Sequence, residues 1–316
     1  MTSKSLALFA VMFSFPSFKL QCQDMETYFT VQNPDRFTIN WTEFYKINNE
    51  KTAEVRKDFP HILDLKYGRH IKQRLDLYLP SKSNNTDLPI FLFLHGGGFR
   101  EGDRAHYGSV AKPFIESGVI TAVASYRLTG TNSYYPDQSD DVKDAIKWLY
   151  NNISSYGGNR ENIYVGGHSA GAILSADVGV DRSWLTDTGI PKEILKGIVP
   201  ISGPYDVRDR GRPGELYTYA PTQELREQAS PILHINDPVP RALVAVGGKE
   251  KYIQTSLLFT EKLKDADVKA EYILLEGEDH ADTALSLADG NSKLFNQVIA
   301  FIKGSPTGRD SVEGYH

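Results

Sequence analysis

The pentapeptide Gly167-His168-Ser169-Ala170-Gly171 sets a serine between two glycines, with Ile163-Tyr164-Val165 before it and small, helix-compatible residues after it. A β-branched run, a tight turn and a helix in that order make a G-x-S-x-G nucleophile elbow, whose strained turn leaves no room for side chains beside the serine. The turn lifts Ser169 Oγ clear of the backbone and begins a helix whose free N–H groups face the same point. The chemistry on offer is attack on a carbonyl, with support for the oxyanion that forms. Taken alone, five residues with three fixed positions describe a structural glycine turn equally well, so the surroundings must decide.

A serine hydroxyl needs a base, and the base needs an orienting carboxylate; behind an elbow serine the chain order is Ser, acid, His. Of the eight histidines, only His234, His280 and His316 follow Ser169. His280 closes Glu276-Gly277-Glu278-Asp279-His280 just past the last strand-like run, at the carboxyl edge where an elbow serine points. His234 precedes a strand and His316 is terminal, so His280 is the expected base. Two carboxylates compete to orient it. Glu250 follows the apolar run Arg241 to Val246 through Gly247-Gly248-Lys249, the place of the acid in this architecture, and is the expected one. Asp279 is the rival, although as the immediate neighbour of His280 its side chain should diverge from the imidazole.

Directly after the apolar run Pro89 to Leu94 comes His95-Gly96-Gly97-Gly98-Phe99. Successive glycines at a strand end let backbone N–H groups turn inward, and Gly97 and Gly98 with Ala170 are the expected oxyanion donors. Phe99, His168 and Tyr205 are candidates to line a substrate pocket, His168 being a pocket wall or a packed core residue rather than a catalyst. The pattern implies neither cofactor nor metal. Cys22 is the only cysteine, which excludes an internal disulfide and a cysteine-based zinc site.

These residues need a scaffold. His61 to Tyr67 and Gln73 to Leu79 alternate apolar and polar around Gly68-Arg69, the mark of an antiparallel hairpin. Pro89 to Leu94 is the continuous run of a strand buried on both faces of a mainly parallel sheet. Helices around Tyr107 to Ser117, Gln138 to Ser155, Ala170 to about Asp181, Tyr252 to Asp265 and Ser292 to Lys303 then alternate with strands Val119 to Tyr126, Ile163 to Val165, Leu195 to Ile201, Arg241 to Val246 and Ala270 to Leu275. Repeated βα units predict an α/β chain with a doubly wound sheet, helices on both faces, and its ligand site at the carboxyl ends of the strands.

The chain of 316 residues is 40% hydrophobic and 24% charged, with net charge −5, which fits one globular domain with a sizeable core. The acidic balance and the lack of any run of five basic residues argue against nucleic acid as a partner. Residues 1–22 have the order of a secretory signal peptide: Lys4, an apolar stretch from Leu6 to Phe15, then Pro16 and a polar segment, too short for a stable membrane anchor. An amphipathic arm in a cytoplasmic protein is the other reading. Sequons at Asn40, Asn84 and Asn152 permit glycosylation on a secretory route. Residues 23–60 read as an aromatic-rich arm or cap segment, residues 61–304 as the catalytic domain, and residues 305–316 as a disordered tail.

His95 to Phe99, Ser125-Tyr126-Arg127-Leu128 with Pro136 and Asp141, Tyr156-Gly157-Gly158-Asn159, the elbow, Ser202-Gly203-Pro204-Tyr205-Asp206 and Ser230-Pro231 together resemble the α/β-hydrolase esterases. The branch is that of the hormone-sensitive-lipase-like carboxylesterases and kynurenine formamidase-like enzymes, and the resemblance spans about Leu63 to Lys303. It departs from the usual pattern in having Glu250 where aspartate is commoner. The resemblance implies a serine hydrolase acting on a small-molecule ester or formamide, as a monomer or homodimer, with the Tyr126-Arg127 loop bracing the oxyanion loop. The excursion Asp206 to Ser230, with Tyr217 and Tyr219, is the expected cap, too short for a large lid, so small to medium acyl groups are expected. An arylformamidase is the alternative chemistry. A non-catalytic, ligand-binding relative is the alternative of another class, which would be expected to have lost the nucleophile, the base or the oxyanion glycines.

Overall fold

In the computed structural model, residues 41–81, 86–130, 132–208, 215–235 and 238–304 are described. The signal-peptide reading of residues 1–22, the first part of the expected arm, the tail 305–316 and the sequons at Asn40 and Asn84 lie outside them. Helix α1 (Trp41–Asp58) leads into β1 (His61–Lys66) and β2 (Arg74–Tyr78), the antiparallel hairpin that the alternating pattern predicts. Then come β3 (Leu88–Leu94), α2 (Ala111–Glu116), β4 (Ile120–Ala124), α3 (Asp137–Asn152), β5 (Gly158–His168), α4 (Ala170–Val180) and α5 (Ser183–Asp187). The chain closes with β6 (Leu195–Ile201), the short α6 (Glu215–Tyr219) and α7 (Gln223–Gln228), β7 (Arg241–Gly247), α8 (Ile253–Asp265), β8 (Ala270–Leu275), α9 (His280–Leu287) and α10 (Lys293–Lys303).

The eight strands form one sheet in the order β1-β2-β4-β3-β5-β6-β7-β8, parallel from β4 to β8 with β2 antiparallel to both neighbours. This is the doubly wound α/β-hydrolase sheet. Strand β3 explains why its sequence is a continuous apolar run. Ile90, Leu92 and Leu94 face α3 and α4, while Phe91 and Phe93 face α2 and α10, all fully buried. Losing one of these phenylalanines to alanine should cost about 3–5 kcal/mol, because neighbours close only partly on the cavity. The parallel register aligns Leu94 with Gly167 and His168 with Ile201, so three strand ends converge on one edge of the sheet.

Several helices depart from the sequence reading. Helix α1 occupies part of the expected arm, and the reason it was not legible is chemical: its buried stripe is Phe44, Asn48, Thr52 and Val55, half of it polar, so no apolar period shows. The short α9 begins with a capping box in which Asp279 accepts from the N–H of Ala281 and Asp282 while Asp282 returns a bond to the Asp279 N–H. In the expected helix from Tyr107 to Ser117, a tight 3₁₀ turn occupies Gly108–Val110, following another at Arg104–His106, and only Ala111–Glu116 is α-helical. Asn152 donates its side-chain amide to the Trp148 carbonyl at the end of α3.

Candidate active site

Ser169 sits between β5 and α4 with φ 57° and ψ −112°, the left-handed region that a non-glycine residue occupies only when its surroundings force it. The forcing is visible on both sides. A methyl group on Gly167 would lie 2.4 Å from the Gly171 carbonyl oxygen, and one on Gly171 would lie 2.2 Å from the Leu94 carbonyl oxygen. Both glycines are required by close approach of backbone, so the strand can end and the helix begin within one residue.

His280 Nε2 lies 2.9 Å from Ser169 Oγ, and His280 Nδ1 lies 2.6 Å from Glu250 Oε2. With Nδ1–H donating to the carboxylate, Nε2 is left as the acceptor for the serine hydroxyl. Glu250 is buried and its second oxygen is also occupied: Oε1 accepts from Ser202 Oγ at 2.6 Å and from the Gly247 N–H at 2.8 Å. Asp279 points away from the imidazole, since its carboxylate caps α9. His280 is the first residue of that helix, so the Asp279 cap fixes the backbone from which the imidazole projects.

Glycines dominate the loop facing Ser169. Gly97 and Gly98 have φ of 120° and 57°, followed by Phe99 at 63°, and the Gly97 carbonyl accepts from the N–H groups of Arg100 and Glu101. A methyl group on Gly96 would lie 3.2 Å from Ser169 Cβ, so the loop is in contact with the elbow. The Ala170 N–H is the first of α4, whose leading amides have no acceptor within the helix. His95 anchors the loop: it is wholly buried, its Nδ1 donates to the Gly96 carbonyl at 2.7 Å, and its ring stacks on Tyr126 with centroids 4.4 Å apart. Tyr126 donates its hydroxyl to the His95 carbonyl at 2.8 Å, and Arg127 grips buried Asp141, so this loop does brace the glycines. Burial pushes the His95 imidazole down to about 4 and keeps it neutral.

The three pocket candidates are packed rather than open. Phe99 stacks on Tyr219 with centroids 3.6 Å apart and planes parallel within 1°. His168 donates from Nε2 to the His280 carbonyl at 2.8 Å, and burial, then the neighbouring His280, holds its imidazole well below the usual histidine range. Tyr205 stacks on Phe259 inside the core beside α8. All three side chains are buried, and for His168 this is the packed core position that was one of its two expected readings. Sequence reasoning missed Ser202, Thr283 and Tyr252. Ser202 shares the strained φ of Ser169, at 57°; it donates to Glu250 and lies 3.0 Å from Thr283 Oγ1, which donates to the His280 carbonyl. Tyr252 stands with its ring 5.3 Å from the His280 ring and is partly exposed. Only the motif Ser202-Gly203-Pro204 gave any signal, and it did not disclose a role.

Residues 75–263 match the BD-FAE family model. An isoprenylcysteine alpha-carbonyl methylesterase of Arabidopsis thaliana is 30% identical over 75% of this chain and 60% of its own length. The chain thus spans about three-fifths of the plant methylesterases it matches. A kynurenine formamidase of Danio rerio is 26% identical over 79% of this chain and 85% of its own. Among solved structures, a hyperthermophilic esterase from Pyrobaculum calidifontis superposes with a TM-score of 0.67 at 21% identity, covering 89% of this chain and 96% of that one.

Proposed function

We propose, from the premise that the chain belongs to the BD-FAE family, that it is a serine hydrolase cleaving small to medium carboxylic esters through an acyl-enzyme intermediate. The observation that carries this reading is the relay Ser169–His280–Glu250, with Ser169 Oγ 2.9 Å from one imidazole nitrogen and Glu250 Oε2 2.6 Å from the other. Ser169 Oγ attacks the ester carbonyl as its proton passes to His280 Nε2. Negative charge develops on the carbonyl oxygen, where the N–H groups of Gly97, Gly98 and Ala170 stabilise it. The tetrahedral adduct collapses, the alcohol leaves with the proton from His280, and water repeats the sequence on the acyl-serine. Glu250 stays ionised throughout and holds the imidazole in the tautomer that accepts from serine.

A formamidase is the second reading, because the same machinery cleaves an N-formyl aniline and the Danio rerio formamidase aligns over more of its own length than the plant methylesterases do. A panel of p-nitrophenyl esters of rising acyl length, run beside N-formylkynurenine, separates them. Preference for the esters supports the first reading; turnover of N-formylkynurenine far above every ester replaces it with the second.

A further inference from the structure

Helix α1 lies upstream of the residues that match the family, yet Asn48 and Thr52 bond to the segment that continues the glycine loop. Thr52 Oγ1 accepts from the Ser109 N–H at 3.0 Å, and Asn48 Oδ1 accepts from Ser109 Oγ at 2.8 Å, both buried. Asn48 is itself oriented by donating to the Phe44 carbonyl. Nearer the helix end, Arg56 donates to Tyr78 and to buried Asp76, which also takes the Nε–H of Arg104 at 3.0 Å. Between these bonds, Tyr107 is buried against Phe44 of the helix on one side and the His95 ring on the other. The segment 100–104 is folded onto the loop so closely that a methyl group on Gly102 would lie 2.5 Å from His95 Nδ1.

A helix held only by apolar contact could slide by a fraction of an ångström at little cost. One held by directional bonds to buried groups is fixed in register, because each broken bond leaves a buried donor or acceptor unmade. We infer that α1 is a positioning element of the oxyanion loop, with Asn48 and Thr52 as its positioning residues, acting through Ser109, Tyr107 and His95 on Gly97 and Gly98. This rests on the assignment of those glycines as oxyanion donors. The helix touches neither Ser169 nor His280 in this account, so its loss should lower transition-state support and leave ground-state binding nearly intact.

The test replaces both polar side chains by near-isosteres, Asn48→Leu with Thr52→Val, and uses Thr52→Val alone should the double variant not fold; Thr52→Ser keeps the hydroxyl as the conservative control. The readouts are kcat and KM on p-nitrophenyl acetate, and Ki for an alkyl trifluoromethyl ketone. Ser169 Oγ adds to the ketone carbon, its proton goes to His280, and the ketone oxygen becomes an oxyanion in the loop. A displaced loop should lower kcat and raise Ki together by about tenfold, with KM within about twofold, short of the loss that follows a full ångström of misplacement; Thr52→Ser should restore both. Variants with lower melting temperature but unchanged kcat and Ki would reduce the helix to a structural role and overturn the inference. If the wild-type protein neither hydrolyses the ester nor binds the ketone, the functional reading fails first and takes the inference with it.

Discussion

Glu250 Oε2 accepts the Nδ1 proton of His280 at 2.6 Å while its other oxygen is held by Ser202 and by the Gly247 N–H, so both faces of one buried carboxylate are committed to orienting one imidazole. Asp279, adjacent in sequence, has both its bonds in the cap of α9. The glutamate reaches across from the β7 loop with one more methylene than aspartate would have.

Removing the charge from Glu250 should therefore cost far more than removing it from Asp279. Glu250→Gln is expected to lower kcat by several powers of ten, on the scale of about 10⁴ known for the acid of a protease triad. Asp279→Asn, which retains a capping side chain, should cost about tenfold or less. Steady-state rates of both variants at one pH on the plateau decide it, and a larger loss in Asp279→Asn would name the wrong acid.

Ser202 should matter although it touches no substrate. Ser202→Ala removes a hydrogen bond to a buried carboxylate, worth about 1.5–3 kcal/mol, and frees Glu250 to tilt away from His280. We expect kcat to fall by roughly tenfold to a hundredfold with KM little changed, and a parallel loss of thermal stability in the melting curve. Unchanged kcat would mean that Gly247 alone orients the carboxylate.

Short acyl chains should be favoured. The described part of the expected cap comprises two short helices, α6 and α7, and Tyr219 is locked face to face on Phe99. Acetate and butyrate esters should be turned over faster than laurate or palmitate esters, measured as kcat/KM on p-nitrophenyl esters. A maximum at laurate or beyond contradicts the short-cap reading.

Stability should decline in mild acid. His95 and His168 are buried and held neutral in the fold, His95 at about 4 against an ordinary 6.5, whereas the unfolded chain protonates both freely. The unfolded state thus binds more protons below about 6.5, and stability, full above that pH, is lost as pH falls toward 4, by about 1 kcal/mol per pH unit for each histidine. Urea midpoints at about pH 7 and about pH 5 measure this, and a flat profile across that window would mean that neither ring is held neutral.

Much of this was legible in the sequence, for identifiable reasons. Strand Leu88–Leu94 is written as a continuous apolar run because both its faces are covered. Gly167 and Gly171 mark the elbow because backbone lies within contact of their missing side chains. Helix α1 was hidden because its buried stripe carries Asn48 and Thr52, which bond rather than merely pack. Ser202 was hidden because a serine on a strained turn that serves a carboxylate has no period and no spacing of its own. The packing partners of Phe99, His168 and Tyr205 were not legible, because proximity in sequence to the site says nothing of which partner takes a ring's face.

The most direct test of the account is covalent. Incubated with a fluorophosphonate probe at neutral pH, the protein should be labelled stoichiometrically, and mass spectrometry of the modified peptide should place the adduct on Ser169 and nowhere else, because only a serine relieved of its proton by His280 and faced by oxyanion donors reacts under those conditions. Ser169→Ala should show no labelling. Equal labelling of Ser169→Ala, or a wild-type adduct on another residue, would contradict the assignment of Ser169 as the nucleophile.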